Sequence, residues 1–204
     1  MNKAWLASTL LLLPVAVSAE LYITIIQGLG GTGEYDQQFS EQTETIKAAA
    51  GTVTDAGRIG LLSGADASRD AILAHFETLR GELTTDDRLA VYMIGHGSYD
   101  GYDYKFMLPG PDLTDTELLE IFESLPASNQ LVINAGSASG ALQERLKAEG
   151  RTLITGTRSG NERLATRFGD YFTEALTSPG ADINKNNAVT VQEAFDYAER
   201  QVKD

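Results

Sequence analysis

Three stretches of the chain are apolar almost throughout: Leu21–Gln27 (LYITIIQ), Arg88–Ile94 (RLAVYMI) and Asn129–Asn134 (NQLVIN). A fourth, residues 151–156 (RTLITG), has the same character, and residues 58–63 form a weaker fifth. Each is short, β-branched or apolar, and closed by glycine or small polar residues, which predicts strands covered on both faces. Between them the apolar positions recur at helical spacing. Helices are expected over residues 36–50, stopped by Gly51, and from a Ser68 cap to Arg80 with Ile72, Phe76 and Leu79 on one face. Thr114 and Glu117 form a capping box that should start a helix running to about Ser124. Further helices are expected over 139–149, 161–176 and 191–202, and residues 100–108 read as a turn with a hairpin arm. Strand and helix alternate along the whole length, so the pattern predicts an α/β fold, a three-layer α/β/α sandwich with a mostly parallel sheet. Ligands in such sheets bind beyond the carboxyl ends of the strands. Three of those ends carry Gly28–Gly31, Gly95–Ser98 and the small-residue run 135–140, which should converge on one edge.

The first nineteen residues stand outside this pattern. A basic start at Lys3, an apolar run from Trp5 to Val17 and the small residues Val17-Ser18-Ala19 read as a secretory signal. The run is too short for a comfortable membrane span, and no later stretch reaches the roughly 18 apolar residues that a span needs. Residues 20–204 are then one exported domain, periplasmic or secreted, with no span in the mature chain. The 29 acidic residues outnumber 16 lysines and arginines, for a net charge of −13, and loss of Lys3 with the signal adds one more negative unit. So acidic a balance argues against nucleic acid and anionic membranes as partners. There is no cysteine, which excludes disulfides, thiolate chemistry and a lipoprotein anchor.

Two histidines are present. His75 lies beside an apolar helical stripe and suggests no role. His96 follows a strand between two glycines, and Ser137 follows the next strand in a loop that leads into a helix. A serine becomes a nucleophile with help from a base, commonly histidine. A helix N-terminus behind Ser137 would favour developing negative charge. The competing readings are that Ser137 and Ser139 cap the helix and that His96 is a hydrogen-bonded structural residue. Gly28-Leu29-Gly30-Gly31-Thr32-Gly33 fits a dinucleotide fingerprint in outline. However, Glu34 and Asp36 open the next helix where a pyrophosphate would sit, so no organic cofactor is expected. Ala135 and Ser139 stand where an esterase elbow needs glycines around Ser137.

A second constellation spans residues 182–193. Asp182, Asn184, Asn186, Thr190 and Glu193 place side-chain oxygens at loop positions 1, 3, 5, 9 and 12, and Ala188 offers a carbonyl at 7. That is the spacing of an EF-hand or dockerin calcium loop. Asn187 replaces the usual glycine at position 6, and asparagine tolerates the left-handed conformation better than most residues. With charge only on Asp182 and Glu193, Ca²⁺ would bind weakly, on the order of 10⁻⁴ M. Thr190 and Glu193 would equally form a capping box for the last helix without metal.

An apolar strand ending in His96-Gly97, then an apolar strand ending in Ser137-Ala138-Ser139-Gly140, resembles the caspase, legumain and gingipain clan of peptidases. The legumain loop reads Cys-x-Ser-Gly, so serine stands here where the clan keeps its cysteine. Within the clan the sequence is most similar to bacterial secreted legumain-like proteins. The matching features are Gly28-Leu29-Gly30-Gly31 with Tyr35 and Phe39, the run Leu108-Pro109-Gly110-Pro111-Asp112-Leu113, and the calcium-like loop. The resemblance spans nearly all of residues 21–198. It implies a caspase-like fold, a peptide or protein as substrate or partner, His96 as general base, and the Gly97 and Ser137 amides as oxyanion donors. Asp100, Asp103 and Glu34 are the candidates for a carboxylate orienting His96. Arg158 is a candidate contact for an acidic or Asn side chain of a substrate. With serine in place of cysteine, a non-catalytic descendant that keeps the calcium loop and binds a peptide or protein in the old cleft in a calcium-dependent way stands as the alternative.

Overall fold

The computed structural model describes residues 18–164 and 166–203. All but the last two residues of the expected leader lie outside that range. Strands β1 (Leu21–Gln27), β2 (Ile59–Leu62), β3 (Arg88–Ile94), β7 (Asn129–Asn134) and β8 (Arg151–Thr155) form one five-stranded sheet in the order β2-β1-β3-β7-β8. Every neighbouring pair is parallel. The α/β sandwich expected from the alternating pattern is therefore present.

Helices cover both faces. On one lie α2 (Arg69–Glu82) and α3 (Asp115–Ser124), whose Ile72, Phe76, Leu118 and Phe122 pack on Ile26, Val91, Met93 and Val132. On the other lie α1 (Gly33–Ala50), α5 (Phe168–Ala175) and α6 (Val191–Lys203), with Phe39, Ile46 and Phe172 against Ile25, Tyr92 and Ile133. The alternation of strand side chains sends one set to each layer. Ser68 accepts from the Ala71 amide as the α2 cap, and Thr114 with Glu117 completes the capping box of α3.

A small antiparallel sheet stands at the carboxyl edge: β4 (Gly97–Tyr99), β5 (Tyr104–Phe106) and β6 (Leu113–Thr114). It grows out of the end of β3, and the Met107 amide donates to the His96 carbonyl at 2.9 Å.

Two expected helices are shorter than their apolar spacing suggested. Residues 139–149 hold a single 3₁₀ turn at Ser139–Ala141 and then α4 (Leu142–Arg145). Arg151 ends this segment, its guanidinium donating to the Leu146 carbonyl at 2.7 Å. Among the described residues of 161–176, helix begins at Phe168. Ahead of it the chain is held as a loop, in which the Glu162 carboxylate accepts from the Arg158 and Ser159 amides and the Glu162 carbonyl accepts from Ala138. A loop tied down by such bonds has less to gain from helix formation.

Candidate active site

The carboxyl ends of β1, β3 and β7 bring three loops together, and the contact is close enough to dictate glycine. A Cβ on Gly97 would lie 2.5 Å from the Ser137 carbonyl and against the Tyr104 hydroxyl. One on Gly136 would lie 2.6 Å from the Gly95 carbonyl, and one on Gly95 would meet the Phe106 ring at 2.9 Å. The glycines flanking His96 thus admit the Ser137 backbone and the Tyr104 and Phe106 rings rather than a turn of unusual φ. That approach sets His96 beside Ser137, with Nδ1 3.4 Å from Oγ.

The other imidazole nitrogen, Nε2, lies 3.1 Å from the Gly30 carbonyl. A carbonyl only accepts, so in the neutral ring Nε2 carries the proton and Nδ1 turns its lone pair to Ser137. The group that orients His96 is therefore a backbone carbonyl on the loop after β1. Of the three carboxylates considered for that task, Asp100 accepts from the Tyr102 and Asp103 amides of its own turn. Glu34 and Asp103 are exposed. Tyr35 and Phe39 of α1 set their rings edge-on to the imidazole, centroids 4.8 and 5.2 Å away, and fix its plane.

Ser137 Oγ also lies 3.4 Å from the Gly97 amide. The hydroxyl can accept from Gly97 while donating to His96, the arrangement that eases formation of an alkoxide. Among the described residues no acceptor meets the Ser137 amide. Both contacts to Oγ are longer than a working hydrogen bond, as is common before a substrate tightens a site. Ser137 is only 2% exposed. The cavity in front of it holds about 10 Å³, between Gln38, Phe39, Gln42, His96 and Thr166.

The Ser137 loop is built from buried hydrogen bonds. Asn134, fully buried at the end of β7, donates to the Tyr104 hydroxyl at 3.0 Å and accepts from the Gly136 amide at 3.0 Å. Burial pushes the Tyr104 phenol up, which keeps it neutral. Ala138 takes the left-handed conformation, φ 55, and its amide donates to the Glu162 carbonyl at 2.8 Å. This is strain of the kind that surrounding contacts must hold in place. Ser139 does not cap a helix: its hydroxyl accepts from the Thr157 amide at 3.3 Å, and Thr157 Oγ1 accepts from the Gly140 amide at 2.8 Å. With only a 3₁₀ turn behind it, Ser137 draws little from a helix dipole, so the electrostatic help expected from that source reduces to the single amides.

Several residues of this site were not singled out by spacing or composition. The Gly30 carbonyl carries no side-chain signal. Asn134 had one, a polar residue closing an otherwise buried strand. Gln38 and Gln42 both donate to Asp170 Oδ1 at 2.5 Å across more than 120 residues of chain, a separation that no local pattern reveals. Arg158 is exposed, and its amide serves the Glu162 turn.

The 182–193 loop lies away from this pocket, at the start of α6. Asp182 accepts from the Asn186 and Asn187 amides at 3.1 and 2.8 Å, and Asn184 Oδ1 from Asn186 at 3.0 Å. Lys185 and Asn187 both adopt positive φ, 59 and 64, so Asn187 does take the left-handed position. Glu193 closes the loop: Oε1 accepts from the Ile183 and Asn184 amides, and Oε2 from the Thr190 amide and hydroxyl. The bonds from Thr190 hold its carboxyl below the usual range. The same contacts make the capping box of α6. The donors fit calcium in kind, hard oxygens on a closed loop, with a low charge from two carboxylates. Asp182, Asn184, Asn186, Ala188, Thr190 and Glu193 are the residues that would hold it.

No family model matches the chain, and no curated protein matches its sequence. Among the described residues no helix is long and apolar enough to cross a membrane.

Proposed function

We propose that the protein is an exported hydrolase of the caspase and legumain type, acting on a peptide or protein with Ser137 as nucleophile and His96 as base. The observation that supports this best is the 3.4 Å approach of His96 Nδ1 to Ser137 Oγ, with Nε2 committed to the Gly30 carbonyl. In the reaction, Nδ1 takes the Oγ proton as Oγ attacks the carbonyl carbon of the substrate. The oxyanion forms against the Gly97 and Ser137 amides, and the protonated His96 returns its proton to the departing amine. Water, deprotonated by the same nitrogen, then releases the acyl group from Ser137.

A second reading, a non-catalytic relative that binds a peptide, is favoured by one feature: Ser137 is buried behind a cavity of about 10 Å³. Calcium on the 182–193 loop is a structural ion in either case, since that loop starts α6, which packs on α5.

Hydrolysis of a fluorogenic peptide library by the purified protein, with and without Ca²⁺, separates the readings when run beside Ser137→Ala and Ser137→Cys. Turnover by the natural protein that Ser137→Ala abolishes supports the hydrolase. Cleavage by the cysteine variant alone identifies a disarmed peptidase, and no cleavage by any of the three favours the binding module.

A further inference from the structure

The sheet face under α1 and α5 is covered at its carboxyl end and open at its amino end. The cause is the length of α5. Eight helical residues span about 12 Å, while seven-residue strands β1 and β3 run about 23 Å. α5 starts at the carboxyl end of the sheet, where Gly169 lies against Ala135, and stops at Ala175 partway down the face; below Leu176 the chain leaves in turns toward the 182–193 loop. The lower part of the face is left as a groove of about 830 Å³. Its floor is Ile23, Ala90 and Leu131 from three adjacent strands, and its walls are Ile46 of α1, Phe172 of α5 and Val189. Val53 and Val191 stand at the rim, 63% and 40% exposed. The opposite face of the sheet, under α2 and α3, is filled.

The charge at this groove departs from that of the chain. In a protein of net charge −13, no Asp, Glu or Lys lines it, and Arg88 is its single charged residue. Arg88 is exposed, and among the described residues no carboxylate lies within ion-pair distance of it. The neighbouring Asp87 is committed to the Glu20 and Thr84 amides. A long apolar trough with one unpaired cation at the amino ends of the strands has the makeup of a site for an apolar chain bearing one negative group.

We propose that this groove binds a single-chain anionic amphiphile, a long-chain carboxylate, with its alkyl chain along the sheet between α1 and α5 and its head group at Arg88. The site lies at the amino ends of the strands, opposite Ser137, and does not depend on the hydrolase reading. Each methylene buried in such a groove tightens binding about fourfold. Reversing the charge at Arg88 removes one attraction and adds one repulsion, a loss of about tenfold for a surface pair.

The test is titration calorimetry with octanoate, decanoate and dodecanoate below their micelle concentrations, with dodecanol as the uncharged control. The purified protein is used once with residues 1–19 and once from Glu20, beside Arg88→Glu and Ala90→Leu. Saturable binding that strengthens with chain length, weakens about tenfold in Arg88→Glu for dodecanoate but not for dodecanol, and falls in a folded Ala90→Leu supports the proposal. Ser137→Ala binds as the natural protein does. Absence of saturable binding overturns the proposal, and so does an unchanged affinity in Arg88→Glu. Binding seen only from Glu20 also supports the proposal, the leader covering the groove until it is removed. A dimer that Val53→Glu dissociates and that takes no dodecanoate assigns it to a second copy. That last result also overturns the proposal.

Discussion

Asn134 offers the sharpest test of how the Ser137 loop is held. Its side chain is fully buried and joins three parts of the molecule: the end of β7, the Tyr104 hydroxyl of β5 and the Gly136 amide one residue before Ser137. Asn134→Leu keeps the volume close and removes both bonds, leaving the Gly136 amide and the Tyr104 hydroxyl without partners in a dry interior. Each orphaned buried group costs about 1–3 kcal/mol, so the variant should lose about 2–5 kcal/mol. For a domain of this size that lowers Tm by roughly 6–15 °C. Tyr104→Phe alone removes one bond and costs about 1–2 kcal/mol. The double variant should be less destabilised than the sum, because Tyr104→Phe also removes the hydroxyl that Asn134→Leu leaves unpaired. Urea unfolding of the four proteins in a double-mutant cycle gives the coupling directly. A loss below about 1 kcal/mol for Asn134→Leu, or strict additivity with Tyr104→Phe, would refute the account of this loop as a structure fixed by buried polar bonds.

His75, Gly97 and Asp182 carry the remaining predictions. His75 of α2 faces the sheet with Nε2 2.9 Å from the buried Thr24 hydroxyl, and burial pushes its pKa below the ordinary 6.5. The unfolded chain therefore takes up its proton first as the pH falls. The contribution of neutral His75 is complete above about pH 6.5 and is lost progressively below it. The fall in Tm from about pH 8 to about pH 5 should be smaller in His75→Gln than in the natural protein, and an equal fall would contradict the assignment. Gly97→Ala drives a methyl into the Ser137 carbonyl and Tyr104. It should cost about 1–3 kcal/mol in urea unfolding and move His96 from Ser137, so any peptide turnover drops with stability. An unchanged midpoint would show that the two strand-end loops separate easily. Millimolar Ca²⁺ should raise the Tm of the natural protein by a few degrees and leave Asp182→Ala unmoved. Equal shifts in both would place the ion elsewhere.

Much of the architecture was legible in the residue pattern because its causes are local. Leu21–Gln27, Arg88–Ile94 and Asn129–Asn134 coincide with β1, β3 and β7 to the residue. A strand covered on both faces has to be apolar throughout, and glycine or asparagine closes it. Ser68 and Thr114 marked the starts of α2 and α3 because a cap is a contact between residues three apart. His96 and Ser137 were legible as candidates from their place at strand ends. The left-handed backbone of Asn187 followed from its position in the 182–193 loop.

What needed the folded chain is whatever depends on distance across it. Helical spacing over 161–176 was real, yet Glu162 binds the amides of Arg158 and Ser159 and its carbonyl takes the Ala138 amide, so half of that helix never forms. From this one tertiary competition follows the loop that seats Ser137, while the open groove depends on where α5 ends. The partner of His96 is a peptide carbonyl at Gly30, which every residue possesses and no sequence advertises. The periodicity of side chains encodes which face is buried, and local polar residues encode where elements begin. Which backbone atom meets an imidazole, and which part of a sheet stays uncovered, are settled only when segments far apart in the chain compete for the same space and the same hydrogen bonds.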